Sequence, residues 1–309
     1  MSQLDLFPPL PLDVSADAAL AAKRPSVLKI GTSSWTFPGW SGLVYRGTPS
    51  TQELIERGLE EYARHPLFNT VGIDRSHYAP LSIDELARYA RQLPPGFKCV
   101  TKVWNAVTSP VDPRTRLPNP HFLDARFFRD AVLGPSDAAF LEHQGPFVFQ
   151  MLPLSSSELP DPEGLIARLD RFLAQLPTHH QYAVEIRNPE LLKPSYFDAL
   201  ARSNVAHVFT YWARMPSIGS QLAQAGSMPA SFTVCRLNLP PGTDYEGQRE
   251  AFAPFDKLQA PDPSMREDVT KLVQRCAALG KTVWLTVNNK AEGSSPLTVR
   301  AILERLATS

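Results

Sequence analysis

The chain has 309 residues, 43% of them hydrophobic, so it can bury the core of one large domain or two modest ones. Its 31 Lys and Arg residues are balanced by 31 Asp and Glu. A formal net charge of zero excludes the basic excess of a general nucleic-acid binder, so any direct nucleic-acid contact would be local. The three cysteines are far apart and form no CxxC pair, which predicts neither a disulfide framework nor a zinc site.

The composition of the N-terminal part of the sequence predicts a flexible tail. Residues 1–26 combine several prolines with an Ala-rich stretch and show no amphipathic period, so we expect a flexible segment outside the fold. Residues 27–309 are expected to form a single domain. No apolar stretch approaches the roughly eighteen residues of a membrane span, and the first residues carry acids where a signal peptide has bases. We therefore expect a cytoplasmic protein without membrane contact.

Short apolar runs alternate with helical patterns from Val27 to the C-terminus, as in βα units around a parallel sheet. Eight runs and the helices between them match the size of a (β/α)₈ TIM-type barrel, which takes about 250 residues plus insertions. A doubly wound open sheet is the alternative, but no GxGxxG or Walker A pattern follows the first run. The predicted strands are 27–31, 68–73, 97–103, 146–152, 181–187, 205–211, 231–238 and 281–288.

Capping signals mark several predicted helix starts. A Ser followed three residues later by Glu is typical of a capping box, and an acid before a first-turn proline is typical of an N-cap. These signals are Ser50 with Glu53, Ser82 with Glu85, Asp161 before Pro162, and Ser264 with Glu267, the last opening a helix that stops at Gly280.

Polar residues fall at the C-terminal ends of nearly all the predicted strands. A barrel strand is covered on both faces, so a charged side chain within it must point to the interior or the mouth. Glu185 and Arg187 share one face of the fifth strand, with Tyr182, Val184 and Ile186 on the other. The other strand-end candidates are Asp74, Tyr78, Lys102, Gln150, Arg236, Asn238 and Asn289. Their convergence predicts a ligand site at the C-terminal face of the barrel.

The residue types suggest roles within this site. Lys102, Arg187 and Arg236 suit a phosphate or carboxylate ligand, and Glu185 and Asp74 are candidate catalytic acids or bases. Two carboxylates are also compatible with glycoside hydrolysis. The alternative is that the charges only neutralise one another in a polar interior.

We expect neither a metal nor a cofactor. His77 lies near Asp74, but the remaining histidines do not fall at matching strand ends. His179 and His180 follow a helix end, where surface imidazoles are common, and are interpreted as structural.

An aromatic group follows the first strand. Trp35, Phe37 and Trp40 could form a stacking surface for a base or a sugar. They could equally form an aromatic plug that closes the barrel mouth.

Seven motifs occur in order at the predicted strands: IGTSSWTFPGW, FNTVGIDRSHYAPLS, FKCVTKVW, GPFVFQMLP, YAVEIRNPELL, CRLN and VNNKAEG. Together they resemble the YecE-like family, known as domain of unknown function 72, from about Leu28 to Leu303. The resemblance implies a (β/α)₈ barrel whose mouth carries Trp35, Asp74, Tyr78, Lys102, Gln150, Glu185, Arg187, Arg236 and Asn289. It implies no reaction, because the family's activity is not established. Gly72 and Lys290 stand where the family usually has Glu and His, which bears on substrate choice.

The tail carries a second signal. Its QLDLF segment resembles the pentapeptide by which bacterial polymerases and repair proteins bind the DNA sliding clamp. Leu6 and Phe7 would fill an apolar pocket, Gln3 would hydrogen-bond at its edge, and Leu4 completes the motif. The alternative is a tail whose apolar residues fold back on the barrel.

Two classes of function follow from the sequence. The first is a metal-independent hydrolase or lyase that acts on a phosphorylated or nucleotide-derived ligand. The second is a non-catalytic, clamp-associated accessory protein in DNA replication or repair.

Overall fold

The computed structural model describes residues 12–112 and 115–308 of the chain. Eight parallel strands form one sheet in the order β1-β8-β7-β6-β5-β4-β3-β2, which curls into a (β/α)₈ barrel. The strands are β1 (Leu28–Thr32), β2 (Thr70–Ile73), β3 (Lys98–Lys102), β4 (Gln144–Gln150), β5 (Tyr182–Glu185), β6 (Ala206–Tyr211), β7 (Phe232–Leu237) and β8 (Thr282–Val287). All eight predicted strands are confirmed, with bounds that differ by a few residues.

Helices lie between the strands and cover the outside of the barrel. They are α1 (Ser15–Ala21), α2 (Thr51–Arg64), α3 (Ile83–Ala90), α4 (Asn105–Thr108), α5 (Ala125–Phe128), α6 (Gly134–Ala139), α7 (Pro162–Leu173), α8 (Pro194–Arg202), α9 (Ile218–Leu222), α10 (Tyr245–Phe252), α11 (Pro263–Ala278) and α12 (Ser295–Thr308). The predicted capping boxes at α2 and α3 and the Asp161 cap of α7 are confirmed. Helix α11 begins earlier than predicted, because Asp262 caps it and Pro263 takes the first turn.

The strand residues alternate between two apolar layers. Val100, Val148, Ala183 and Val234 belong to one cluster that fills the lower barrel interior. The other side of the same strands packs against the helices, as Tyr182 of β5 does among the aromatic rings beneath α5 and α7. The polar residues of the interior begin where this apolar cluster ends. They therefore lie toward the C-terminal face of the barrel.

Strands β1 and β2 stand at the two ends of the ladder order and are joined largely through side chains. The Asn69 side chain accepts from Ile30 N (2.7 Å) and donates to the Leu28 carbonyl (3.1 Å). The Tyr62 hydroxyl, from α2, accepts from Thr32 N (2.8 Å) and donates to the Thr70 carbonyl (3.3 Å). We call this junction the seam. The backbones of β1 and β2 lie so close together here that a Cβ on Gly31 would be 1.9 Å from the Thr70 carbonyl oxygen.

Part of the segment expected to be a tail is ordered in the structure. Helix α1 packs against α12, and the Asp17 carboxylate, which is buried, accepts two hydrogen bonds of 2.8 Å from Arg300. The sequence pattern does not show this helix, because a seven-residue element has fewer than two helical turns and its ion-pair partner lies 283 positions away.

None of the helices in the described residues combines the length and the apolar composition that a bilayer crossing requires.

Candidate functional site

The carboxylate of Glu185, the last residue of β5, is the centre of a buried polar network. It is fully buried and accepts hydrogen bonds from Arg187 Nε (3.0 Å) and Nη2 (2.9 Å). Thr210 Oγ1 and Asn238 Nδ2 lie 3.4 Å from the same oxygen, Oε1. The network links the ends of β5, β6 and β7, three of the eight strands.

Arg236, on β7, joins the two carboxylates. Its Nη1 donates to Glu185 Oε2 and, at 3.2 Å, to Gln150 Oε1. Its Nη2 donates to both oxygens of Asp74, at 2.8 and 2.6 Å. Arg236 is only 1% exposed, and its guanidinium is occupied by protein acceptors. A ligand in the mouth would therefore contact the side chains that Arg236 binds and not the guanidinium itself.

Arg187 lies over an aromatic ring at the edge of this network. Its guanidinium carbon is 3.6 Å from the centroid of the Trp212 ring, and its Nη2 donates to Gln150 Oε1 at 2.8 Å. Nη1 of Arg187 donates to no described residue. Stacking keeps the guanidinium plane fixed and leaves the Nη1 amino group without an acceptor among the described residues.

Lys102, the last residue of β3, is the cation without a direct partner. It is 8% exposed, and across residues 12–112 and 115–308 its ammonium makes no hydrogen bond or ion pair. Burial lowers the pKa of Lys102 to about 8, with Asp74 opposing the shift and Arg236 and Arg187 adding to it. Near neutral pH this amine is mainly protonated, and it loses its proton more readily than an exposed lysine does.

The carboxylate of Glu185 stays ionised. Burial opposes its charge, but Arg236, Arg187 and Lys102 outweigh burial and lower the pKa of Glu185 to about 2. With three cations facing Glu185 and Asp74, the mouth carries a surplus of one positive charge when Lys102 is protonated. The electrostatics of the site therefore favour an anion.

Two further groups form the rim. Lys290 lies with its ammonium 4.0 Å from the centroid of the Tyr245 ring. Tyr78 is 73% exposed and meets the edge of His77 at 5.4 Å between centroids. His77 is buried, and its own burial and Lys102 lower its pKa to about 3, so it is neutral.

The structure thus brings most of the predicted residues together. One network contains Asp74, Gln150, Glu185, Arg187, Arg236 and Asn238, with Lys102 beside it and Tyr78 on the rim. Whether they bind a ligand stays a prediction.

Trp35 does not belong to the mouth. It is 3% exposed, its Nε1 donates to the Leu54 carbonyl at 3.0 Å, and its ring meets the edge of Tyr89. The side chain points outward into the layer of α2 and α3, because β1 ends just before it and the chain turns away from the barrel axis. Phe37 and Trp40 pack on each other, with ring centroids 5.1 Å apart, as an aromatic plug would.

Asn289 is also held by the protein rather than presented to the mouth. Its Oδ1 accepts from Trp40 Nε1 (3.2 Å) and from the backbone and hydroxyl of Ser295 (both 2.8 Å). These bonds fasten the start of α12. Only its Nδ2, buried without a partner in the described residues, remains to meet another group.

Sequence reasoning missed Thr210 and Trp212 at the end of β6. Both are uncharged, so the rule that a charge inside a buried strand must face the interior does not identify them. The signal that could have found them is their place: they flank the last residue of a predicted strand, on the face where the other network members lie.

The mouth is poorly suited to a metal ion. Both of its carboxylates already bind Arg236, and the nearby Lys102 and Arg187 would repel a cation. The group of metal-type ligands in the described residues lies elsewhere and consists of Asp137, His179 and His180.

The comparisons with known proteins agree with this architecture. A crystal structure of a DUF72 family protein from Enterococcus faecalis V583 superposes with a TM-score of 0.64 at 13% identity, covering 91% of this chain and 96% of that one. One from Thermotoga maritima MSB8 gives 0.57 at 16% identity, with 91% and 99% coverage. These likenesses show the fold alone. No curated protein matches the chain.

The resemblance that the strand-end motifs suggested is confirmed by a family model. The model of the family described as "Protein of unknown function DUF72" matches residues 29–309, almost the whole barrel. The clamp-type segment Gln3–Phe7 lies outside both this match and the described residues. From Lys29 onward, the chain is a member of the DUF72 family.

Proposed function

We propose that the barrel mouth binds a small anionic ligand, phosphorylated or nucleotide-derived, and that Lys102 acts on it in a hydrolase or lyase reaction. One observation carries the proposal: Lys102 is a buried cation with no hydrogen bond or ion pair to a described residue, beside a network whose other charges are matched. A buried charge without a partner is costly, and an anion in the mouth would supply one.

The surrounding residues give the ligand two direct contacts. Lys102 offers its ammonium, and Arg187 offers Nη1 from a guanidinium that Trp212 and Glu185 hold in place. Arg236 contributes through the field, since Asp74, Glu185 and Gln150 occupy its donors. Such fixed, largely buried donors bind phosphate oxygens well.

Lys102 is better suited to proton transfer than the two carboxylates. A group with a pKa near the working pH exchanges protons most effectively, and the pKa of Lys102 is about 8. Glu185 is ionised, fully buried and committed to two arginines, so we assign it a positioning role. Asp74 keeps an exposed edge and remains a candidate for orienting water or the ligand.

The two-carboxylate scheme of a glycosidase finds little support here. That chemistry needs one carboxyl group to be protonated as the acid, with water or a nucleophile between the pair. Here Arg236 fills the space between Asp74 and Glu185, and the pKa of Glu185 is lowered, not raised.

The test begins with binding. Inorganic phosphate, pyrophosphate and a panel of sugar phosphates and nucleotides are titrated into the purified full-length protein, with calorimetry and thermal shift as readouts. Phosphorus NMR then follows each binder for conversion. Lys102→Met removes the amine, Lys102→Arg keeps the positive charge without a titrating amine, and Lys271→Met is the control on the exposed face of α11.

We expect binding that Lys102→Met weakens at least tenfold and Lys102→Arg largely restores, with conversion lost in both variants and Lys271→Met unchanged. Binding that survives in Lys102→Met would refute the ligand site. Conversion that survives in Lys102→Arg would refute proton transfer by Lys102. If no compound in the panel binds even at millimolar concentration, the assignment of an anionic phosphorylated ligand is wrong.

A further inference from the structure

A cluster of metal-type ligands lies at the end of the barrel opposite the mouth. Asp137 belongs to α6, and His179 and His180 form the turn between α7 and β5. One ligand atom from each of the three side chains lies within 4.8 Å of the others. Because strands rise about 3.3 Å per residue, the five residues from His180 to Glu185 put the cluster roughly 16 Å from the mouth network.

His180 and Asp137 lie at ion-pair distance but without the alignment of a hydrogen bond. Nε2 of His180 lies 2.9 Å from Asp137 Oδ1, yet this buried nitrogen has no hydrogen-bond partner in the described residues. The His180 side chain is only 4% exposed. A buried ring nitrogen that lies at contact distance from a carboxylate without a well-aligned hydrogen bond is unusual, because buried polar groups are normally hydrogen-bonded.

Metal ligation explains this geometry. Ligand atoms bound to one ion direct their lone pairs at the ion and not at each other. With metal–ligand bonds of about 2.0–2.2 Å, neighbouring ligand atoms lie roughly 3 Å apart without hydrogen-bond geometry. The Nε2–Oδ1 pair has this character, and His179 completes the group, its ring centroid 4.2 Å from that of His180.

We propose that Asp137, His179 and His180 bind a divalent transition-metal ion, with Zn²⁺ the best match and Co²⁺ and Ni²⁺ as substitutes. Two imidazoles and one carboxylate are donors that these ions prefer, whereas Mg²⁺ and Ca²⁺ prefer oxygen alone. Three protein ligands leave a coordination position for water. Lys98, whose charge acts on His180, is engaged with the Gln144 carbonyl at 3.2 Å, and the Asp137 charge opposes its repulsion.

The ion would fasten α6 to the base of β5. This end of a TIM-type barrel serves stability rather than chemistry, so the ion is expected to raise stability without entering the mouth. The proposal departs from the sequence expectation of no metal, which considered only ligands at the strand ends of the mouth. The histidine pair follows a helix end, where surface imidazoles are common, and its sequence context therefore favours a structural role.

The test uses untagged, metal-free, full-length protein, since a polyhistidine tag would bind the same ions. Zn²⁺ is titrated by calorimetry, Co²⁺ is followed by its visible absorption, and the melting temperature is measured with and without each ion. His179→Ala and Asp137→Asn remove ligands from exposed positions, so they should leave the metal-free fold intact. His121→Ala removes an exposed imidazole that stacks on Phe127 and serves as the matched control.

We expect one equivalent of Zn²⁺ to bind, to raise the melting temperature, and to bind at least about tenfold more weakly in each ligand variant, since even indirect changes around a metal cost 10–100-fold. The control should bind like the unmodified protein. A stoichiometry well below one, or equal affinity in His179→Ala and the unmodified protein, would overturn the proposal. So would a loss in His121→Ala as large as the loss in the ligand variants.

Discussion

Arg236 of β7 and Glu185 of β5 form an ion pair inside the barrel. Both are at most 1% exposed, and Arg236 Nη1 donates directly to Glu185 Oε2. Breaking such a pair leaves an uncompensated buried charge, which typically costs several kcal/mol.

Glu185→Gln is therefore expected to lower the free energy of unfolding by about 3–5 kcal/mol, because Arg187 and Arg236 both lose their shared carboxylate. Urea denaturation followed by circular dichroism measures the change. Glu250→Gln, at an exposed position, is the control and should alter stability by less than about 0.5 kcal/mol. Equal stability of the two variants would contradict the ion-pair account.

Lys102→Met should stabilise the protein at pH 7. The pKa of Lys102 is about 8 in the folded state against 10.5 when free, so the unfolded state binds more protons between these values. Stability of the unmodified protein should therefore rise with pH through this window, and below pH 8 the charged amine should cost roughly 1–3 kcal/mol. Melting temperatures from pH 6 to 10 measure both effects. A Lys102→Met protein no more stable at pH 7 than Lys271→Met would contradict the shift.

Tyr62→Phe should weaken the seam. The change keeps the ring but removes the hydroxyl that Thr32 N and the Thr70 carbonyl share. Leaving the buried Thr32 N–H without a partner should cost about 1–3 kcal/mol. Denaturant unfolding checks this, with Tyr245→Phe on the exposed rim as the comparison. The result expected for the comparison is no measurable change.

The tail motif stays a prediction, because Gln3–Phe7 lies outside the described residues. If the segment binds a bacterial sliding clamp, calorimetry should give a dissociation constant on the order of micromolar. Replacing Leu6 and Phe7 together by Ala should cost roughly 2–4 kcal/mol of binding and leave the melting temperature unchanged. An interaction that the double replacement does not affect, or none at about 100 µM, would return the segment to a plain tail.

The sequence predicted the fold and most of the candidate site for the same reason. Buried parallel strands are apolar runs, so a charge inside one, such as Glu185 or Arg236, must face the interior and is found by inspection. Trp35 and Asn289 lie just past strand ends, where no period tells the mouth from the helix layer. Their directions depend on Leu54 and Ser295, contacts that exist only in the folded chain.

At the seam, the barrel can open without breaking a continuous series of backbone hydrogen bonds between paired strands. Elsewhere neighbouring strands exchange successive backbone bonds, whereas Leu28, Ile30 and Thr32 rely largely on two side chains, Asn69 and Tyr62. Rotation of these two side chains would leave the Asn69 N–Ile30 O bond (3.1 Å) as the backbone bond that holds the seam in the described residues. Local opening of the barrel should therefore occur mainly at the seam. Amide hydrogen exchange of Ile30 and Thr32 should then report an opening of lower free energy than global unfolding, while the β7 and β8 amides exchange only with the whole domain.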